Sequence, residues 1–332
     1  MDWKLIQCAV EGRRHTAMHI PCQDKVKIVS ADNLWIGALS DGAGSASHSH
    51  YGAQCVVDTV CELISSSFDK LFDMQDAAKA KALIVTEIVS ALNDIALTLE
   101  VEIKELAATL LFVAVKGNHM LIGHIGDGVI CYQKDGVLKV ASKPTNGEFA
   151  NSTVFVTSTA AQNTMRLIKG ELSSISGFCL MSDGSAASLY NRTRNTPMPV
   201  LSKLLRLRSV MATGPLQKLL DDSFKESVVM GTQDDCSIVL MALSATNISA
   251  NDVLSDDDLA DLLGLSEIPV QRTRQIARYR QIITLAANQI SLKAISLAIH
   301  VKPKYAKRYV KRLLNLNLLS SIGSTFVANI VE

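Results

Sequence analysis

The sequence predicts an α+β chain that ends in a small basic helical module, and three observations carry that reading. Short apolar, strand-like runs recur between residues 3 and 243, interrupted by two long stretches with helical spacing. Four of these runs meet an acid at one end: Trp35-Ile-Gly-Ala-Leu-Ser-Asp41-Gly42, Leu121-Ile-Gly-His-Ile-Gly-Asp127-Gly128, Phe178-Cys-Leu-Met-Ser-Asp183-Gly184 and Asp234-Asp235-Cys-Ser-Ile-Val-Leu-Met. Past residue 250 the charge divides sharply near residue 268, acids before and bases after.

Taken in order, strands are expected at about 3–10, 25–31 and 34–40. The opening Met1-Asp-Trp-Lys-Leu-Ile-Gln reads as the first of them, since an acid at position 2 does not suit a signal peptide. Two long helices follow, from about Tyr51 to Phe72 and from Asp76 to Leu99. In the first, Cys55, Val56, Val60, Leu63, Ile64, Phe68 and Leu71 form a core-facing stripe. Strands resume near 109–116, 119–125, 129–133, 137–141 and 153–158, with Lys134-Asp135-Gly136 as a hairpin turn. Residues 192–220, containing Pro197, Pro199 and Gly214, read as helical pieces separated by loops, flanked by strands at 177–181 and 236–243. This is the supply for two stacked antiparallel β-sheets flanked by helices, in a domain at residues 1–246.

Residues 251–267 carry Asp252, Asp256, Asp257, Asp258, Asp261 and Glu267 without a base, whereas residues 270–331 carry eleven Lys or Arg without an acid. The net charge of +1 conceals this switch, which sets an acidic linker at 247–268 and a basic domain at 269–332. The basic domain reads as a small winged helix-turn-helix. Its helices are expected at about 272–287, 292–299 and 303–316, the last opened by Pro303, with a hairpin wing at 318–330. Ala306, Val310, Leu313 and Leu314 should face inward. Lys304, Lys307, Arg308 and Lys311, with Lys302 just ahead, would meet DNA phosphates. A docking or dimerisation module facing an acidic protein, or the acids at 256–258, needs the same charges, and both readings stand.

Composition adds bounds. Almost half of the residues are hydrophobic, enough for a sizeable core, and no apolar run is expected to span a bilayer, which takes about 20 residues. Seven dispersed cysteines without a CxxC pair fit reduced thiols in a cytoplasmic protein. None sits in a phosphate-binding loop of the tyrosine-phosphatase kind. Cys22 and Cys236 flank acids of interest, where packing is the expected role. His48-Ser-His50 has the wrong spacing for a helical metal pair and should lead into the next helix. Acids gathered at strand ends repel one another unless a hard cation lies between them, and oxygen-only donors select Mg²⁺ or Mn²⁺ rather than zinc.

The order of the motifs resembles the metal-dependent type 2C family of Ser/Thr protein phosphatases, in its compact bacterial form, over roughly residues 1–245. Pro21-Cys22-Gln23-Asp24 resembles the family's first acidic motif, and Asp41-Gly42-Ala-Gly44 its Asp-Gly-x-Gly. Ala107-Ala-Thr109-Leu110, Gly123-His-Ile-Gly126-Asp127, Ser182-Asp183-Gly184 and Asp234-Asp235-Cys-Ser237 follow in the family's order. Gly147-Glu-Phe-Ala-Asn151-Ser-Thr153 resembles a segment of the bacterial subfamily. The resemblance implies hydrolysis of phosphoserine and phosphothreonine in proteins by a water bridging two Mn²⁺ or Mg²⁺ ions. Asp41 would bridge the ions with help from the Gly42 carbonyl, Asp183 and Asp234 would hold the first, and Asp24 would orient water on the second. Asp127 would join Asp183 at a weaker third site. The chain departs from the family at Gln23, where many members have an acid, and at His19, where an arginine usually binds the substrate phosphate. His15 is the candidate for that phosphate or for a general acid, with Arg13 or Arg14 assisting. The implied partners are a phosphoprotein, a Ser/Thr kinase or its targets, with the basic domain targeting or regulating the enzyme. The alternative is a DNA-binding regulator whose phosphatase-like domain is a non-catalytic phosphoprotein sensor.

Overall fold

The computed structural model describes residues 2–144, 153–211, 213–244, 254–265, 268–316 and 318–328. Residues 147–152 of the bacterial-subfamily segment, Asp252 and Glu267 lie outside the described residues. The chain forms two compact units, Met1–Ser202 with Gln217–Ala242, and Lys203–Leu216 with Leu243–Glu332.

The first unit is α+β and holds two five-stranded sheets. One has the order β2 (Lys25–Ala31), β3 (Leu34–Ser40), β4 (Leu110–Lys116), β5 (His119–Ile125) and β8 (Arg166–Glu171), antiparallel throughout. The other has the order β1 (Trp3–Val10), β12 (Cys236–Leu243), β9 (Ile175–Met181), β6 (Val129–Lys134) and β7 (Val137–Ser142). Every residue of β3 is buried, which explains why it reads as an unbroken apolar run. Alternation sends Ile36 and Ala38 into a core shared with Phe112, Ile64 and Ile84 under helices α2 (Ser49–Asp73) and α3 (Ala77–Leu99). Gly37 faces the other sheet, where a Cβ would come within 2.8 Å of Val239 Cγ1, so the two sheets are stacked. Each fully buried Ile or Phe there contributes about 1.5–3 kcal/mol. The expected turn at Asp135-Gly136 joins β6 to β7, with φ of 52° and 76° as a type I′ turn requires.

Four details differ from the sequence reading. Residues 153–158 form no regular strand. Instead turns and α4 (Ala161–Thr164) lead into β8, which went unforeseen because an edge strand reading Arg-Leu-Ile-Lys-Gly-Glu tolerates charges that a central one would exclude. The loop after β1 folds into α1 (Arg13–Met18). Short elements α5 (Asp183–Leu189), β10 (Tyr190–Asn191) and β11 (Thr196–Pro197) precede α6 (Pro199–Val210) and α7 (Thr213–Ser223). Finally, α3 is long and apolar enough, by length and composition, to cross a membrane, contrary to the expectation that no such run exists. Its Ala80, Ile84, Ile88, Leu92 and Ala96, spaced by four, face the core beside α2.

In the second unit the acids at 256–261 are helical, in α8 (Asp256–Leu262). A capping box closes its start, in which Ser255 and Asp258 satisfy each other's backbone. Asp258 pairs with Arg206 at 3.1 Å, and Asp261 with Lys203 at 2.5 Å. Three helices, α9 (Pro269–Leu285), α10 (Leu292–Ala298) and α11 (Pro303–Asn315), follow. They share a sheet of order β13 (Ile290–Ser291), β15 (Thr325–Ala328) and β14 (Leu319–Ile322). Ala306, Val310 and Leu313 of α11 are buried as expected, while Leu314 is only half-buried.

Candidate active site and metal centre

The acids are delivered by the ends of both sheets of the first unit. Asp24 precedes β2, Asp41 follows β3, and Asp127 follows β5. From the second sheet, Asp183 follows β9, and Asp234 and Asp235 precede β12. The supports are specific. Thr109 accepts from the Asp41 amide through Oγ1 at 2.9 Å and donates its own amide to the Asp41 carbonyl at 2.8 Å. Across the second sheet, the Ser237 amide donates to Ser182 Oγ at 3.0 Å, and the Ser182 amide to the Ser237 carbonyl. Gly184 is required for approach: a Cβ there would lie 2.1 Å from the Asp235 carbonyl oxygen and 3.5 Å from Asp234 Cβ. Glycine therefore allows the Asp183 and Asp234 loops to touch.

The electrostatics follow. Burial raises the Asp24 carboxyl to about 7, with Asp235 and Asp183 adding repulsion and the Ser237 and Ser182 hydroxyls opposing it. Asp41 is raised well above the usual carboxylate range by burial and then by the charges of Asp24, Asp183 and Asp234. Asp183 is raised by burial and by Asp127. The Ser237 and Ser182 hydroxyls lie near enough to ease the Asp24 charge but make no aligned bond to it, so both oxygens of Asp24, like Oδ1 of Asp183, are buried without a hydrogen bond. Unpartnered buried carboxylate oxygens beside further carboxylates are costly alone and fit an oxygen-ligated cation. Among the described residues no three acidic, histidine or cysteine side chains close around one point as a finished ligand shell. What exists is a convergence of acids. Asp127 is also engaged, its Oδ2 accepting from Thr153 Oγ1 at 2.5 Å.

A model of the Protein phosphatase 2C family matches residues 11–221, more than half of the chain. The chain belongs to the protein phosphatase 2C family. It is 26% identical over 207 residues to Serine/threonine-protein phosphatase 3 of Escherichia coli (strain K12), covering 59% of this chain and 79% of that protein. The fold is similar to the crystal structure of a bacterial serine phosphatase (TM-score 0.53, 15% identity, 74% of this chain and 100% of the other). It is also similar to the catalytic domain of the serine/threonine phosphatase PstP in complex with two manganese ions (TM-score 0.50, 17% identity, 73% and 98%). The protein is thus an enzyme, a serine/threonine protein phosphatase of the 2C type. Enzymes of this family are metal-dependent.

Within this phosphatase 2C, the residue the sequence reading passed over is Asp235. It is 2% exposed, and its two oxygens accept from the amides of Gly12 and Gln23, each at 2.6 Å. His15, buried in α1, has Nδ1 2.9 Å from Asp235 Oδ1, a close polar contact without hydrogen-bond alignment. Asp235 thus ties both N-terminal loops to the start of β12. The signal was the Asp234-Asp235 doublet, of which only the first member was given a role. Arg13 donates through Nε and Nη2 to the Thr232 carbonyl at 3.0 and 2.9 Å. His19, in the left-handed region at φ 56°, caps α1 and is exposed. His48 caps α2, with Nδ1 2.8 Å from Ser47 Oγ. Burial pushes the Cys236 thiol up to about 12 and Cys22 higher still, so neither is a thiolate.

His124, inside the Gly-x-x-Gly-Asp motif, gives a pH prediction. Its Nδ1 meets Ser142 Oγ at 2.7 Å, and Arg166 donates to the same hydroxyl oxygen at 3.1 Å. Burial, and then the Arg166 charge, lower the imidazole from 6.5 to about 3. The unfolded chain binds the proton first, so stability is full above pH 6.5. It falls by up to about 1.4 kcal/mol per pH unit as the pH drops from 6.5 toward 3. Urea denaturation between pH 8 and 5 should show this slope in the wild type and a shallower one in His124→Gln.

Proposed function

We propose that the phosphatase hydrolyses phosphoserine and phosphothreonine in proteins at a centre of two divalent cations, Mn²⁺ or Mg²⁺. The observation that carries this is the set of buried, unbonded oxygens of Asp24 and Asp183 beside Asp41 and Asp234. Asp41 would serve both ions and the Gly42 carbonyl would complete one shell, Asp183 and Asp234 would hold the first ion, and Asp24 would orient water on the second. Asp127 with Asp183 would offer a weaker third position. Divalent ions so held supply charge neutralisation and a water of lowered pKa for attack on phosphorus. The chain's own part is to keep the acids at fixed sheet ends and to present His15, with Arg13 beside it, to the substrate phosphate or the leaving oxygen. The substrate would be a phosphoprotein, a Ser/Thr kinase or one of its targets, in the cytoplasm.

The phosphatase domain would span residues 1–246, joined by residues 247–268 to a winged-helix domain at 269–332 that targets or regulates it. Three helices with a terminal hairpin support that reading, as does the row of exposed Lys302, Lys304, Lys307, Arg308 and Lys311 on and just ahead of α11. Such a row suits duplex DNA or an acidic protein.

The test is hydrolysis of p-nitrophenyl phosphate and of a phosphothreonine peptide with Mn²⁺, Mg²⁺ or EDTA. Turnover with a divalent ion and none in EDTA is expected. Folded protein inactive with every metal would instead favour a DNA-binding regulator with a non-catalytic phosphoprotein sensor.

A further inference from the structure

The charges of the second unit are neutralised unevenly. Helix α8 covers part of α9, Asp257 pairing with Arg272 at 2.7 Å and Asp256 with Arg280 at 2.6 Å. Elsewhere α9 and α11 border a cavity of about 550 Å³, within the ~300–1,000 Å³ range of small-molecule sites. Gln275, Tyr279, Tyr305, Arg308, Tyr309 and Arg312 line it. Among the described residues, none of Arg278, Arg308, Lys311 and Arg312 is paired with a carboxylate.

The cations lean on phenols instead. Arg278 donates to the Tyr309 hydroxyl at 3.2 Å, and Arg312 reaches the Tyr279 hydroxyl at 3.5 Å. Lys304 Nζ and the Arg308 guanidinium lie 4.9 and 5.6 Å from the centre of the Tyr305 ring. The Tyr279 and Tyr309 rings are 4.8 Å apart and inclined by 54°. Neutral partners fix these rings in place while leaving the positive charge uncancelled. Flat π-faces next to uncompensated guanidinium forks match a ligand that is planar at one end and anionic at the other. Gln275 and Asn315 in the lining add carboxamides, each offering a donor and an acceptor to the edge of a heterocycle.

We propose that this cavity binds a nucleotide unit, its base against Tyr305 and Tyr309 and its phosphate on Arg308, Lys311 and Arg312. The unit has two sources, a free mononucleotide or an unpaired base in a single strand. The site is independent of the phosphatase reading, because binding can be measured without turnover.

The full chain would be titrated with AMP by calorimetry, and with a labelled single-stranded DNA of about ten nucleotides by anisotropy. Adenosine, inorganic phosphate and a duplex of equal length serve as comparisons. AMP should bind at least tenfold tighter than adenosine or phosphate if the source is free nucleotide. If the source is a strand, the single strand should bind at least tenfold tighter than the duplex. In either case Tyr305→Ala and Arg312→Gln should each weaken binding about tenfold, one stacked ring or one charged fork being worth roughly that much. Tyr305 is 42% exposed, so Tyr305→Ala should keep the wild-type melting temperature, and a melting curve of Arg312→Gln, which loses the long bond to the Tyr279 hydroxyl, checks that this variant is folded under the binding conditions. No binding of AMP or the strand would overturn the proposal, as would phosphate matching AMP. Duplex binding that equals the strand and survives Tyr305→Ala would also overturn it, pointing to duplex DNA on α11.

Discussion

Asp41→Asn should abolish metal-dependent turnover yet stabilise the metal-free protein. Asparagine keeps the shape and the backbone bonds to Thr109 but cannot carry the charge that two cations would share. Loss of turnover should exceed about 100-fold, more than is usual for residues that only support a metal ligand. The stability effect has the opposite sign. Burial and the carboxylates of Asp24, Asp183 and Asp234 raise the Asp41 carboxyl, so its ionised form is disfavoured in the folded state. This penalty is absent below its ordinary pKa of 3.8, grows as the pH rises above it, and is full above the raised folded value. In EDTA at pH 8, Asp41→Asn should gain about 1 kcal/mol, or about 2–4 °C in melting temperature, and the gain should vanish toward pH 3.5. Equal melting temperatures in EDTA at pH 8 would show that the acids do not repel as inferred. Unchanged turnover would remove Asp41 from the centre.

Asp235→Ala should be the most destabilising single change near the site. It leaves the amides of Gly12 and Gln23 and the buried His15 imidazole without their common partner. Breaking a buried charged hub of this kind costs about 3–5 kcal/mol. Asp235→Asn retains one accepting oxygen and orphans one amide, a loss of about 1–3 kcal/mol. Urea denaturation in EDTA should therefore rank the wild type above Asn and Asn above Ala. Because Gln23 adjoins Asp24, turnover should fall in the same order. An alanine variant as stable as the wild type would mean that the N-terminal loops are anchored elsewhere.

Apolar runs that meet an acid at one end were enough to locate Asp41, Asp127, Asp183 and Asp234 at sheet ends, because strand length and turn chemistry are local properties, whereas Asp24 was singled out only by the family resemblance. The same locality made α2, α3, the Asp135-Gly136 turn and the three basic helices legible, each resting on periodicity or on one turn. Strand β8 was not legible, since an edge strand is defined by the neighbour it pairs with and its charges resemble a loop. The role of Asp235 was hidden for a related reason. Its partners Gly12 and Gln23 are 223 and 212 residues away, and nothing near Asp235 in the chain hints at them. Likewise Gly184 looks like turn punctuation, whereas folding makes it the point where the Asp183 and Asp234 loops meet. The tyrosines of the second unit follow the same rule: Tyr279 and Tyr309 stand 30 positions apart and become neighbours only when α9 packs against α11. The sequence by itself determined which residues carry charge and at which element ends they stand, because those follow from bonded neighbours. Only the tertiary structure decided which of them are buried together and which are left unpaired, because burial and Coulomb interaction depend on distance in space.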